Sequence, residues 1–442
     1  MSYVVHKFGG SCLKTQSDIY RISEIVNDSK HSPIVIVSAV FGVTNRLLDA
    51  IGGCESPESF INEMKQIHQE IAGPSSRVVQ SEKFTKLLTR LQYDLELLQS
   101  NFDVNIQNRI LAFGEKATTL VVADHLKQTL TDAKPLWSEE IGISIIGENR
   151  NRRIDVEKTK SNLLRNLDNS VVPVITGWYG IDKAGVITVL DRGGSDVTAS
   201  AVGNMLQADK VVLWKDVGGV LTLSPCLGLH GKKIQYLGYS EAREIARLGT
   251  TVLHPLCIDP VCEAGIPLEL RLINDETQGT IVGPDLHLEE PQTKAIVCTH
   301  PVRNVSLSST KHRHASSITR QVLDVLNKHG AEVWFLNALS AKIQIVLSEE
   351  CHREPLRELS ELGFDIKVGD SSALVSLVGN QIENWSSELE QFLNDKKNWQ
   401  EKYKFIGGED TSIHFLTDES TLDEIIKNLS ERLGLIETKI DH

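Results

Sequence analysis

From Tyr3 to about Ile273, short β-branched runs alternate with longer stretches in which apolar residues recur every three or four positions. Strands separated by helix-length segments cannot pair through tight hairpins, so the alternation specifies an open, mainly parallel sheet with helices on its faces. YVVHK (Tyr3–Lys7), PIVIVSAV (Pro33–Val40), VVPVIT (Val171–Thr176) and KVVLW (Lys210–Trp214) are the clearest strands. Ile19–Ser29, Phe84–Leu98 and Ile106–Leu126 carry the helical period. At roughly 150 residues per domain, 442 residues leave room for about two further units.

The run QGTIVGPDLHLEEPQ, Gln278–Gln292, crowds Gly, Pro and acids together without period and marks a boundary. Beyond it the elements shorten into two βαββαβ units. VRNVSLS, a helix around Ile318–Lys328, EVWFLNA, KIQIVLS, a helix around Pro355–Leu362 and FDIKVG make the first. SSALVSLVG, Ile382–Asn394, KYKFIGG, TSIHFLT and Leu422–Leu433 make the second. The expected division is 1–285, 294–370 and 371–442. Sheets of this kind commonly pair through their edges, which predicts a homodimer or higher homo-oligomer.

Charge narrows the partners. Lys and Arg total 46 against 59 Asp and Glu, a net charge of −13, which opposes nucleic acids and anionic membranes and favours a small-molecule or protein partner. MSYVVHKFGG has no secretory pattern and no apolar run approaches a membrane span, so the expected compartment is the cytoplasm. The seven cysteines are scattered, without zinc-knuckle spacing, and are expected to be reduced packing thiols.

Two Gly-Gly-Ser elbows stand where strands run into helices. In K-F-G-G-S, Lys7–Ser11, the glycines free backbone N–H groups to approach a phosphate, and the lysine supplies a point charge. Equally, the elbow could be a tight turn with Ser11 as N-cap. D-R-G-G-S-D, Asp191–Asp196, follows the apparent hairpin TGWYGIDKAGVITVL. Its arginine suits a carboxylate, and Ser195 and Asp196 are expected to cap the next helix. F-G-E, Phe113–Glu115, places a glycine inside a helix, which asks for a packing or ligand-contact reason. S-A-V-F-G-V-T-N, Ser38–Asn45, ends a strand in hydroxyls and a glycine, suited to a ligand at the carboxyl edge of a sheet or to an ordinary loop.

Taken in order, KFGGS, IVSAVFGVTN, FGE, VPVITGWYG, RGGSD, KDVGGVLTLSP and YSEAREIARLGTTVLHP resemble the aspartate kinases of the amino acid kinase superfamily, which also end in two regulatory ACT domains. The resemblance covers essentially the whole chain. It implies ATP-dependent phosphorylation of the side-chain carboxylate of L-aspartate to 4-phospho-L-aspartate, with Mg²⁺, as the first step toward lysine, threonine and methionine, under feedback by an amino acid at the ACT-like units. By position, Lys7 would neutralise the transferred phosphoryl group and Asp196 would organise the transfer site. Glu115 would accept the substrate ammonium and Arg192 would hold the α-carboxylate. Ser38, Thr44, Gly193, Gly194 and Ser195 would line the aspartate pocket. Gly9, Gly10, Ser11, Lys215, Asp216, Gly219 and Leu221 would serve the nucleotide, and no protein metal site is implied.

The sequence departs from that family where the nucleotide lies. An Asp-Val-Asp-Gly turn and an Asp-Pro-Arg become Asp216-Val217-Gly218-Gly219 and Ser224-Pro225-Cys226, and a usual lysine is Thr251. Each lost charge-assisted bond is worth about 1.5–3 kcal/mol. Lys215, where the family commonly has threonine, restores a cation. These departures hold open two other readings: a kinase of the same fold with a changed acceptor, and a catalytically weak sensor or regulatory subunit.

Overall fold

The computed structural model describes residues 2–100, 102–129, 132–148, 152–224, 227–249, 252–275, 277–286, 292–308, 315–339, 342–382 and 403–437. The helix expected over Ile382–Asn394 lies almost wholly outside the described residues, as do Pro225, Cys226 and Thr251. The chain forms two compact units. One comprises residues 1–220, 233–243 and 251–285; the other comprises 221–232, 244–250 and 286–442.

The strands of the first region are β1 (Tyr3–Phe8), β2 (Ser32–Val37), β3 (Ala133–Leu136), β4 (Ile145–Ile146), β5 (Arg153–Ile154), β6 (Val172–Thr176), β7 (Tyr179–Ile181), β8 (Ile187–Val189), β9 (Lys210–Lys215), β10 (Tyr236–Gly238), β11 (Leu268–Leu272) and β12 (Thr280–Gly283). Its helices are α1 (Gln16–Asn27), α2 (Val43–Gly52), α3 (Pro57–Ala72), α4 (Glu82–Ser100), α5 (Val104–Gln128), α6 (Ser138–Ile141), α7 (Val156–Asn166), α8 (Gly194–Leu206), α9 (Tyr239–Arg247) and α10 (Ile258–Ala264).

Eight strands form one sheet in the order β10-β12-β11-β9-β1-β2-β6-β3, and only β11 and β12 pair antiparallel. The α/β expectation is borne out. β1 is central, in register with β2 and β9, with Lys7 opposite Ile36 and Leu213. Alternation along β1 sends Val4, His6 and Phe8 to one face and Val5 and Lys7 to the other. On the first face Val4 and Phe8 join Val35, Val37 and Val174 in a core with Ile22 of α1, Met64 of α3, Phe84 of α4 and Phe113 of α5. On the other, Gly203 of α8 lies so close to Val211 of β9 that a Cβ would stand 2.5 Å from Cγ2. Lys7 therefore points to the side of the sheet that α8 covers.

Two capping expectations are corrected. Ser11 lies inside a 3₁₀ turn, Gly10–Cys12, and the N-cap of α1 is Thr15, whose N–H donates to Asp18 Oδ2 at 2.8 Å. Asp18, three residues on, supplies the reciprocal acceptor that Ser11 lacks. Likewise Gly193, at φ 84°, is the N-cap of α8, so Ser195 and Asp196 sit inside its first turn.

The second unit carries one antiparallel sheet in the order β14-β15-β13-β16-β18-β17. Its strands are β13 (Gln292–Ser308), β14 (Val333–Leu339), β15 (Lys342–Ser348), β16 (Asp365–Asn380), β17 (Tyr403–Glu409) and β18 (Ser412–Thr417), with helices α11 (Ala315–Lys328), α12 (Arg353–Glu361) and α13 (Glu419–Arg432). FDIKVG and SSALVSLVG, read as separate strands, are one strand, β16. The polar step between them stays extended because β13 pairs with it on both sides, Val305 with Val368 and Arg303 with Ser371. Leu223, also in this unit, bridges Ile296 and joins a core built on Val375, Leu377, Phe415 and Ile425.

Candidate active site

The carboxyl ends of β9, β1, β2 and β6 lie side by side, and the loops leaving them meet the N-terminus of α8 and the middle of α5. At the centre is Asp196, 3% exposed, in the first turn of α8. Lys7 Nζ is 2.7 Å from its Oδ1 and Lys215 Nζ is 2.8 Å from its Oδ2. Burial alone would raise the Asp196 pKa, but the two ammonium groups outweigh it and hold the carboxyl well below its ordinary range. For Lys215, burial is likewise outweighed by Asp196, and its pKa is raised. The result is a knot of one carboxylate between two ammonium groups, placed where a helix N-terminus adds partial positive charge.

Glu115 is buried in α5, 2% exposed. Its Oε1 accepts the Ala39 N–H at 3.1 Å, and its Oε2 has no hydrogen-bond partner among the described residues. Burial pushes its pKa up to about 8, against the Ala39 N–H and the charge of Lys7. A second clamp follows one turn later, where the Val40 N–H donates to Thr118 Oγ1 at 3.1 Å. The loop after β2 is thus fastened to α5, and the glycine in F-G-E has its packing reason. A Cβ on Gly114 would stand 2.6 Å from Ala39 Cβ.

Around this centre the structure places the other expected residues. Ser38 is half-buried, its N–H bonded to Phe8 O at 3.1 Å, and Thr44 is half-buried in the first turn of α2. Gly9 is buried and Gly10 and Ser11 are half-buried in the turn after Lys7. Gly194 and Ser195 are buried, whereas Arg192 and Gly193 are exposed, and no ion pair engages Arg192 among the described residues. Gly193 is required twice over: its φ is positive, and a Cβ would meet His254 Cβ at 2.7 Å. His254 is the N-cap of the 3₁₀ turn Pro255–Cys257, its Nδ1 accepting the Leu256 N–H at 3.3 Å, so it packs and caps. Asp216 is exposed and Gly219 buried, and Leu221, 37% exposed, belongs to the second unit.

The motifs did not single out Trp178, held at φ 70° with its N–H donated to Thr198 Oγ1 at 3.2 Å and its indole N–H to Asp191 O at 3.2 Å. A bulky residue between two glycines in Gly177–Gly180 was the available signal. Cys12 is fully buried, and burial pushes its thiol up to about 11, so it is an inert packing group. No cluster of three or more His, Cys, Asp or Glu able to hold a metal occurs among the described residues.

Residues 2–271 match the pattern of the amino acid kinase family. The chain belongs to that family. This amino acid kinase is similar to chloroplastic aspartokinase 1 of Arabidopsis thaliana, 27% identical over 406 residues that span 85% of this chain and 70% of the relative. It is similar to lysine-sensitive aspartokinase 3 of Escherichia coli, 23% identical over 97% of this chain and 99% of that one. Its fold matches E. coli aspartokinase III solved with aspartate and ADP, with TM-score 0.83 at 22% identity over 98% of this chain and 100% of that one. The aspartate kinase resemblance is borne out from end to end.

Proposed function

We propose that the chain is an aspartokinase that transfers the γ-phosphoryl group of ATP to the side-chain carboxylate of L-aspartate. A carboxylate oxygen forms the new bond to phosphorus, the bond to the β,γ-bridging oxygen breaks, and ADP leaves with that electron pair, giving 4-phospho-L-aspartate. The observation that carries the reading is the Lys7–Asp196–Lys215 knot at the carboxyl edge of the sheet, with Glu115 Oε2, which has no hydrogen-bond partner among the described residues, beside it. Phosphoryl transfer needs positioned positive charge more than covalent help.

In this reading Lys7 stabilises charge on the transferred group, and Lys215, tethered by the same aspartate, holds the adjacent phosphates. The turn Gly9–Ser11 offers its backbone to them, with Asp216 and Gly219 on the nucleotide side. Glu115 Oε2 receives the substrate ammonium, Arg192, exposed and in no ion pair among the described residues, closes on its α-carboxylate, and Ser38, Thr44 and the Gly193–Ser195 turn line the pocket. Mg²⁺ enters as part of the nucleotide substrate, since both Asp196 oxygens are engaged by lysines and Mg²⁺ is commonly held through substrate phosphates.

Residues 1–285 would catalyse, and 294–370 and 371–442 would form the regulatory ACT-like pair, with an amino acid as effector. The edge strands of the antiparallel sheet, β14 and β17, are suited to a homo-oligomer, and the expected setting is the cytoplasm. Hydroxylamine trapping with ATP, Mg²⁺ and L-aspartate tests the reading, beside D-aspartate, L-glutamate and no-acceptor controls. Hydroxamate that depends on L-aspartate supports it; none from folded protein with any acceptor rejects it in favour of a sensor or regulatory subunit.

A further inference from the structure

Arg192 stands in a four-residue turn that leads into α8. The Gly194 N–H donates to Asp191 O at 3.0 Å, and Gly193, at φ 84°, is the third residue of the turn. Arg192 therefore occupies the second position of a turn whose next residue must take a positive φ, which glycine supplies. Arg192 and Gly193 are exposed, and no ion pair engages Arg192 among the described residues.

Trp178 holds this turn from outside. Its indole N–H donates to the same Asp191 O at 3.2 Å, taking the second lone pair of the carbonyl that opens the turn. Its main chain is bonded to both flanks. Trp178 O accepts the Leu190 N–H at 2.7 Å, just before the turn. Trp178 N–H donates to Thr198 Oγ1 at 3.2 Å, and that hydroxyl donates to Gly194 O, at the end of the turn, at 2.9 Å. The approach is close: a Cβ on Gly194 would stand 2.8 Å from Trp178 Cδ1, and one on Gly177 would stand 2.6 Å from Ser195 Cβ.

Trp178 reaches this position at φ 70°, with the Tyr179 N–H donated to Gly177 O at 2.9 Å across it. That is a γ-turn of the rare, strained, positive-φ kind. Gly177 is itself tied to β2, its N–H donating to Val37 O at 2.9 Å. A bulky residue persists in such a conformation only where its surroundings over-determine it. Packing asks for a ring at this half-buried position, but not for an N–H aimed at the carbonyl that opens the Arg192 turn.

We propose that Trp178 is a positioning residue: its indole N–H pins the Asp191–Gly194 turn and so sets where the Arg192 guanidinium meets the α-carboxylate of the acceptor. The role of Arg192 rests on the aspartokinase reading; the pin itself does not.

The test compares the full-length parent with Trp178→Phe, Arg192→Ala and the double variant. Steady-state kinetics in both substrates are read beside urea unfolding and limited trypsin digestion, with cleavage after Arg192 followed by mass spectrometry. Trp178→Phe keeps a ring and removes the N–H. It should raise the KM for L-aspartate about fivefold, the equivalent of one ordinary hydrogen bond, with the KM for ATP and the urea midpoint near those of the parent. In the Arg192→Ala background the same change should add nothing, because its effect passes through Arg192. Cleavage after Arg192 should be several-fold faster in Trp178→Phe. If Trp178→Phe does not fold, Trp178→3-benzothienylalanine, which keeps the two-ring shape and replaces only the N–H by sulfur, decides the matter. An unchanged L-aspartate KM, or a rise that persists in full without Arg192, overturns the proposal. A parent that phosphorylates no acceptor defeats the aspartokinase reading instead; faster cleavage in the variant then still supports the pin, and unchanged cleavage overturns it.

Discussion

Lys215 Nζ stands 2.8 Å from Asp196 Oδ2, while the other oxygen of the same carboxylate is held by Lys7. One buried aspartate therefore positions two ammonium groups from neighbouring strands. Removing the carboxylate while keeping its shape, Asp196→Asn, leaves two lysines to repel each other in a buried site. The expected cost is about 3–5 kcal/mol of stability, read by urea unfolding, with turnover lost. Unchanged stability would show that the pair is not formed in solution.

Lys215→Ala behaves differently, because Lys7 still neutralises Asp196. We expect stability to fall modestly and the KM for ATP to rise about tenfold, the equivalent of one charge-assisted bond. The KM for the amino acid should stay near that of the parent. A raised amino-acid KM with unaltered ATP kinetics would move Lys215 away from the nucleotide.

The pH dependence follows from opposite shifts. Glu115 has a folded pKa of about 8 against an ordinary 4.5, so between these values the folded state binds more protons, and stability falls as pH rises. Glu115→Gln should flatten that decline, measured by urea unfolding from pH 5 to about 8.5. In the parent, the amino-acid KM should fall as pH rises toward 8, since an ionised Glu115 receives the ammonium. Asp196, held below its ordinary 3.8, contributes stability that is present above that value and lost as pH falls beneath it.

Much of this arrangement was legible in the chain. Lys7 at a strand end, followed by Gly9 and Gly10, announced an elbow where β1 ends, and the β-branched runs announced the parallel sheet. The pairing of Lys215 with Asp196 was not legible, because it depends on α8 starting beside the ends of β1 and β9, a tertiary outcome with no local signal. The unsatisfied Glu115 oxygen was hidden for the same reason: in sequence it is one acid on a helix, and only the Ala39 loop reveals its burial. Ser11 misled as a cap because a hydroxyl before a helix reads alike wherever the helix begins, and Thr15 with Asp18 was the better box. The continuity of β16 was masked by the polar step between FDIKVG and SSALVSLVG, which stays extended only because β13 pairs on both sides of it.

Gly114→Ala offers a sharp test of the packing, since two effects oppose each other. Helix propensity favours alanine by about 1 kcal/mol. Against that, the new Cβ would stand 2.6 Å from Ala39 Cβ, which is anchored through its own N–H to Glu115. Overpacking of this kind costs about 1–3 kcal/mol, so a net loss of stability is expected, with a larger loss of activity as the Ser38–Thr44 loop is pushed off α5. A stabilised, fully active variant would mean that the loop is free to move.

Lys7→Ala and Arg192→Ala should separate transfer from binding. Arg192 is exposed and engages no carboxylate among the described residues, so its removal should leave stability within about 0.5 kcal/mol. Its effect should fall on the KM for the amino acid, because the α-carboxylate is held alike in the ground and transition states. Lys7 is buried against Asp196, and the charge it meets grows as the phosphoryl group departs, so Lys7→Ala should chiefly lower kcat. Steady-state kinetics in both substrates, beside urea unfolding of each variant, distinguish the two. Near-parental turnover in Lys7→Ala would remove the basis for phosphoryl transfer at this site.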